Sequence, residues 1–326
     1  MRKWVVSWKD GAYTLPPAEM KIWVALTDIH WVQALAALRP DEANFWQPGA
    51  ERRPVRLDAG APYLFKLHAR EGGHIVGGGY LAHWSVVPRL AWDAFREKNG
   101  ASSFEEMIQR IGRYVDRPID PETHRIGCSL LVQPFFFAER DWVSPPASWP
   151  ASGIQQGRTY DTGTSDGTAL WERIQITLAS QATDGERRIA EELPRYGEPV
   201  LVRPRLGQGT FRIMVTDAYA RRCAVTGERT LPVLEASHIK PFSMSGPHEV
   251  GNGLLLRADL HTLFDRGYIT VTPDLAVRVS HKIREEFENG RDYYALAGRT
   301  VATPQPGFAP PRRELLDWHS DVVFRS

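Results

Sequence analysis

The sequence predicts an α+β protein of two domains. The first is mixed, with short strands in a curled sheet or small barrel; the second is organised around a β-hairpin followed by a helix. Three observations carry this. The chain has 326 residues, more than the ~100–150 of one typical domain. Residues 1–170 hold short β-forming runs interleaved with amphipathic segments. Further on, EASHIKPFS (Glu235–Ser243) and NGLLLRADLHTLFDRG (Asn252–Gly267) set His238, Asn252, His261 and Asp265 among apolar residues. The expected limits are 1–173 for a recognition domain, 174–199 for a connecting segment and 200–326 for the second domain.

In the first domain the strand-like runs are KIWVALT (Lys21–Thr27), APYLFKLHA (Ala61–Ala69) and HIVGGGYLAHWSVV (His74–Val87). A helix is expected over Leu90–Gly100, ended by Asn99–Gly100. A second follows over Ser102–Val115, where Ser103 precedes Glu106 at capping-box spacing. CSLLVQPFFF (Cys128–Phe137) reads as a buried strand interrupted at Pro134. The connecting segment carries a charged, partly helical stretch at Thr183–Gly197. Beyond it, TFRIMV (Thr210–Val215) reads as a strand and TDAYARRCAV (Thr216–Val225) as a helix capped by Thr216 or Asp217. VLEASHI alternates, and LLLRADLHTLFD reads as helix. Helices are also expected at His281–Gly290 and in the last segment.

Composition sets the outer bounds. The apolar fraction is 42% and the charged fraction 24%, ordinary for a globular chain. Lys and Arg number 40 against 39 Asp and Glu, a formal charge of +1, so net charge names no partner. Two cysteines, Cys128 and Cys223, are too few for a disulfide framework or a four-cysteine zinc site, and free thiols suit a reducing cytoplasm. No run reads as a signal peptide or a membrane span, so the expected location is cytoplasmic, without a membrane partner.

His261 and Asp265 are four residues apart, on one face of the expected helix. An imidazole and a carboxylate so placed suit a hard or borderline divalent ion. Phosphodiester hydrolysis needs a base for water and a cation for charge at the phosphate and leaving oxygen. His238, at the end of a strand, is placed to meet water, and an imidazole neutral near pH 7 is a competent base. Asn252, in the hairpin loop, is placed to orient that histidine.

EASHIKPF followed by NGLLLRADLHTLFDRG resembles the HNH nucleases, whose site is a ββα-metal finger, in the restriction-endonuclease-like variant with CAVTG (Cys223–Gly227) ahead of the hairpin. The resemblance covers roughly 203–279. It implies that His238 is the general base, that Asn252 supports that histidine or the finger loop, that His261 binds the metal, and that Asp265 fills a further ligand slot. The implied cofactor is a divalent ion, Mg2+ or Mn2+, with Co2+ or Ni2+ as alternatives. Two departures matter. Many members place a metal ligand directly before the base, where this chain has Ser237; nearby Glu235 falls on the other strand face from His238. Many members also bind a structural zinc through two CxxC pairs, but Thr226, Arg257 and Leu260 replace three of those cysteines. No structural zinc is expected, and Leu254, Leu256, Leu260, Leu263 and Phe264 must pack the finger instead.

Double-stranded DNA, base-modified or not, is the expected substrate; a homodimer is left open. Arg203, Arg205, Arg212, Arg221, Arg222 and Lys240 supply charge near the finger, and Gln208 lies between glycines that let backbone approach a phosphate. In the first domain Trp31, Phe45, Trp46, Tyr80, Trp84, Trp142, Trp149 and Tyr160 offer stacking surfaces for a flipped base. The run YLFKLHAREGGHIVGGGY (Tyr63–Tyr80) is similar to PUA-like domains that read modified bases. The leading expectation is a restriction endonuclease directed to modified DNA. The alternatives are a non-catalytic DNA-binding protein with a degenerate finger and a nickase indifferent to modification.

Overall fold

The computed structural model describes residues 20–49, 57–86, 88–115, 119–120, 124–153, 156–181 and 206–326. The expected helix at Thr183–Gly197, together with Arg203 and Arg205, lies outside the described residues. The chain forms two compact units, each assembled from separated stretches. One takes the described residues of Met1–Arg39, Arg53–Leu81 and Gln133–Pro204; the other takes those of Pro40–Arg52, Ala82–Val132 and Arg205–Ser326. Strands and helices mix in both, the α+β class expected. No helix of the described residues is long and apolar enough to cross a membrane.

The first unit is built on β1 (Lys21–Thr27), β3 (Pro62–Leu67), β6 (Gly157–Asp161) and the start of β4 (Ile75–Val86). β1 lies parallel to β3 and antiparallel to β6, and β3 pairs antiparallel with β4. β-branched and aromatic residues dominate β1, as such a pleated, buried surface requires. Ile22, Val24, Leu64 and Ile75 bury against Leu170 and Ile174 of a helix at Ser165–Gln181.

In the second unit, β2 (Glu42–Gln47) pairs antiparallel with β5 (Gly127–Phe136), Asn44 opposite Leu130. β5 continues through Pro134, with the irregularity absorbed at Gln133, where φ is 50°. The expected helices appear at Pro88–Phe95 and Phe104–Gly112, and Ser103 caps the second by accepting from the Glu106 amide. Their apolar faces and β5 bury Phe95, Met107, Ile111 and Leu130 together with Ile213.

Ile213 belongs to a helix, Gln208–Ala218, which includes the stretch expected as a strand. The β-branched composition of TFRIMV misleads. Burial of Phe211, Val215 and Ala218 against the finger core follows helical spacing, and Ile213 faces the other cluster. Thr216 and Asp217 do not cap a helix. The Thr216 hydroxyl donates to Arg212 O at 2.7 Å, while the Asp217 carboxylate accepts from Ser85 Oγ at 2.6 Å and pairs with His83. Ala220 and Arg221, at φ 53° and 58°, turn the chain out of the helix before Cys223.

The N-terminus of this helix is capped by a distant residue. Buried Glu42 accepts the amides of Gly209 and Thr210, both at 2.9 Å, and pairs with Lys98 Nζ at 3.2 Å. Gly207, the N-cap, has no side chain to do this, and a Cβ there would collide with the Glu42 carboxylate. Oriented amides and the positive end of the helix dipole favour a carboxylate at this point.

The finger also has a support from the end of the described chain. His319 is 2% exposed, its ring stacked on Phe264 at 3.7 Å. Its Nε2 donates to Phe264 O at 3.1 Å and its Nδ1 accepts from Thr270 Oγ1 at 2.8 Å, which fixes a neutral tautomer. Burial pushes its pKa from 6.5 down to about 4. A base whose folded pKa is depressed costs nothing above its unfolded value, and stability drains as pH falls from 6.5 towards 4. The full swing is on the order of 3 kcal/mol. Thermal unfolding followed from pH 7 to pH 4.5 should therefore show a smaller loss of Tm for His319→Gln than for the wild type, from a lower starting point. Equal slopes would remove His319 from this linkage.

Candidate active site

The hairpin strands are β7 (Leu234–His238) and β8 (Gly253–Arg257), antiparallel, with His238 opposite Gly253. The segment expected as one helix, LLLRADLHTLFD, is thus a strand followed by a helix at Ala258–Asp265. Leu254, Leu255 and Leu256 are all buried, so the strand is covered on both faces and shows no alternation to mark it. Leu254, Leu256, Leu260 and Phe264 form the core of the finger, with Leu263 partly buried against it, as expected. Each fully buried side chain of this size contributes ~1.5–3 kcal/mol. Cys223 is buried in the same core, and its Sγ accepts from the Thr226 amide at 3.4 Å.

His238 ends β7 with its ring lying flat on Phe211, centroids 3.8 Å apart and planes 9° from parallel. Gly253 makes room for this: a Cβ there would stand 3.0 Å from Phe211 Cζ and clash with Val215. The His238 Nε2 is buried with no hydrogen-bond partner among the described residues. Burial, followed by the nearby His248 ring, lowers its pKa to about 4, against the opposing pull of Asp265. His238 is therefore neutral at pH 7. His248 packs edge-on against it, centroids 5.1 Å apart, and its own pKa is lowered by burial.

Buried Asn252 holds the loop that follows the histidine. Its Oδ1 accepts from Lys240 N at 2.9 Å, and its Nδ2 donates to Lys240 O and Pro247 O, both at 2.8 Å. Its backbone O accepts from Ile239 N at 2.9 Å. The two residues after His238 are thus fixed by one side chain and its own backbone.

On the helix, His261 Nε2 lies 3.2 Å from Asp265 Oδ2, and its Nδ1 lies 2.6 Å from Glu235 Oε2. Burial resists protonation of His261, but the hydrogen bonds to Asp265 and Glu235 prevail and raise its pKa. One imidazole and two carboxylates are a suitable donor set for a divalent ion. The carboxylates meet opposite nitrogens of the ring, and no three such side chains converge on one point among the described residues. Ser237, directly before His238, is buried, and its hydroxyl has no partner among the described residues.

Of the other residues singled out, Lys240 stands beside the site with Nζ over the Trp318 ring at 5.2 Å. Arg221 is exposed, and its Nη2 donates to Val86 O at 2.8 Å; Arg222 is exposed and Arg212 half-buried. The Gln208 side chain is exposed, while the amides after it serve Glu42. Sequence reasoning missed Phe211, because its segment read as a strand, and His248, which lies four residues before Asn252 in a loop. It left Glu235 without a role, since strand alternation sets it away from His238 but says nothing of the helix it meets.

A model of the HNH endonuclease family (HNH_2) matches residues 223–272. That span holds the hairpin, His238, Asn252, His261 and Asp265. No curated protein matches the chain. Among solved structures, the chain is similar to one described as "Modification dependent TagI restriction endonuclease". The two are 15% identical, the match covers 86% of this chain and 74% of that one, and the TM-score is 0.27. The chain carries an HNH endonuclease domain, and this domain makes it a nuclease.

Proposed function

We propose that the protein is a divalent-metal-dependent DNA endonuclease, a restriction enzyme directed to modified DNA. The observation that carries the reading is the imidazole of His238, kept neutral on Phe211 at the end of β7, beside the His261–Asp265 pair. A neutral imidazole accepts a proton from water as that water attacks phosphorus. With Nε2 buried, Nδ1 is the nitrogen that meets the water. Asn252 sets the angle of approach by fixing Ile239 and Lys240. Lys240 contacts the phosphate, with Arg203, Arg205, Gln208, Arg212, Arg221 and Arg222 adding sequence-independent affinity. His261 and Asp265 would hold the cation through Nε2 and the carboxylate, with Glu235 orienting the imidazole from Nδ1, and a cation there would supply charge stabilisation at the phosphate.

Targeting to a modified base is assigned to the first unit, read as a PUA-like domain. Trp31 and Tyr160 are buried there and serve packing, but Trp142 and Trp149 are only half-buried. Lys66 Nζ sits over Trp149 at 4.7 Å, and burial lowers its pKa. An amphipathic ring beside a buried cation suits a flipped base.

A second reading has one observation in its favour. With Ser237 in a common ligand slot and both His261 nitrogens already engaged, a degenerate finger would bind DNA without cutting it. One experiment separates the readings. Plasmid and 5-methylcytosine, hydroxymethylcytosine or glucosylated DNA are incubated with Mg2+, Mn2+, Co2+ or Ni2+, and Mn2+ affinity is titrated by calorimetry for wild type and His261→Ala. Cleavage restricted to a modified substrate, with at least about tenfold weaker Mn2+ binding by the variant, is the expected result. Gel shifts without nicks at any ion would support the degenerate finger. Equal cutting of all substrates would leave a general nickase.

A further inference from the structure

We infer that Phe242 and Met244 form an apolar wedge that enters the base stack of duplex DNA beside the scissile phosphate; this rests on the nuclease reading above. Scattered exposed apolar residues are ordinary on a protein surface. These two differ in setting. Phe242 is 66% exposed and Met244 53%, two residues apart on one short turn at Phe242–Met244. The turn is held rigidly with its apolar side chains outward. Pro241 O accepts from Met244 N at 2.9 Å and from Gly246 N at 3.0 Å, and Ser245 closes the turn at φ 65°. Asn252 grips both flanks through Lys240 and Pro247. The ordering cost of presenting the tip is thus met before any partner arrives.

The site specifies what covers it. The Phe242 ring packs on His248 with centroids 4.4 Å apart, and His248 packs on His238 at 5.1 Å. A phosphate at His238 therefore brings the tip within about three base-pair rises of ~3.4 Å each along the strand. Lys240 stands at the stem, and Glu249, the carboxylate on the far flank, is held by Arg312 at 2.6 Å. An apolar tip on a cationic stem suits a duplex, whose backbone takes the charge and whose base steps take the side chains. Phe and Met are among the residues that wedge between base steps and kink the helix. Unstacking at that step would also open the backbone to His238.

The test uses the full chain and duplexes carrying scattered 2-aminopurine, in EDTA so that binding is read without turnover. Wild type and Phe242→Trp should raise the fluorescence of the unstacked base. Phe242→Ala/Met244→Ala at equal occupancy should leave it flat. With a divalent ion present, the double variant should cut intact duplex about tenfold more slowly, and mismatched duplex within about threefold of wild type, since the mismatch has already met the unstacking cost. A wild-type fluorescence response from the double variant, or an equal loss on both substrates, overturns the wedge. If instead the double substitution changes the sedimentation of the free protein while the fluorescence response stays intact, a second copy of the chain covers this face. Should wild type unstack the duplex yet cut neither substrate with any ion, the nuclease reading falls and the wedge remains as a DNA contact.

Discussion

Replacing His238 with alanine is expected to slow cleavage by about 100- to 10,000-fold, the usual contribution of a positioned general base. DNA affinity should change little, because the side chain meets water rather than the phosphates that supply binding. The ring packs on Phe211, so the alanine variant also loses some stability, and His238→Gln, closer in volume, serves as its control. Added imidazole should restore part of the alanine variant's rate, which a merely structural histidine would not allow. The pH profile gives a second arm. With its pKa lowered to about 4, His238 accepts a proton at any pH well above that value. Phe211→Ala would let water reach the ring and move this limb towards 6.5. Full activity in the alanine variant, or no rescue by imidazole, would remove His238 from the base role.

Glu42→Ala should be the most damaging substitution for stability. It strips the acceptor from two helix amides and leaves Lys98 with Asp41 alone. Breaking a buried, hydrogen-bonded charge pair costs about 3–5 kcal/mol, which is a fall in Tm on the order of 10 °C. Glu42→Gln keeps an acceptor for one amide and should recover about half of that loss. Because the capped helix carries Phe211, both variants should also lose cleavage in proportion to the helix's loosening. Denaturant unfolding of the three proteins checks the order. A loss under about 1 kcal/mol for the alanine variant would show that water replaces the carboxylate without penalty.

The placement of the finger's polar residues was legible because it is local. His238, Asn252, His261 and Asp265 fall in 28 consecutive residues, and the i, i+4 relation of the last two survives any error in where the helix begins. The apolar packing of Leu254, Leu256, Leu260 and Phe264 in the finger was legible for the same reason. The support was not. The Gln208–Ala218 helix begins at a glycine with no capping side chain, so its start signal is absent from its own sequence and lies instead at Glu42. Its β-branched residues then read as a strand. The triple leucine of β8 fails in the opposite way: burial on both faces erases the alternation that identifies a strand. Glu235 was set aside because strand alternation describes two faces of one sheet, whereas its partner His261 comes from the helix that follows.

The distance along the chain between Glu42 and the amides it accepts, 167 and 168 residues, has a consequence for how the protein is made. Ribosomes extend a chain at about 5–20 residues per second. The segment bearing Glu42 thus emerges roughly 10–30 s before the helix it will cap. During that interval the carboxylate has only Lys98 and solvent to answer it, once Lys98 has itself emerged. The nuclease helix, by contrast, leaves the ribosome with its cap already waiting. The early segment behaves as a mould and the late segment as the cast. A chain whose synthesis stops between the two holds the cap without the helix that carries Phe211.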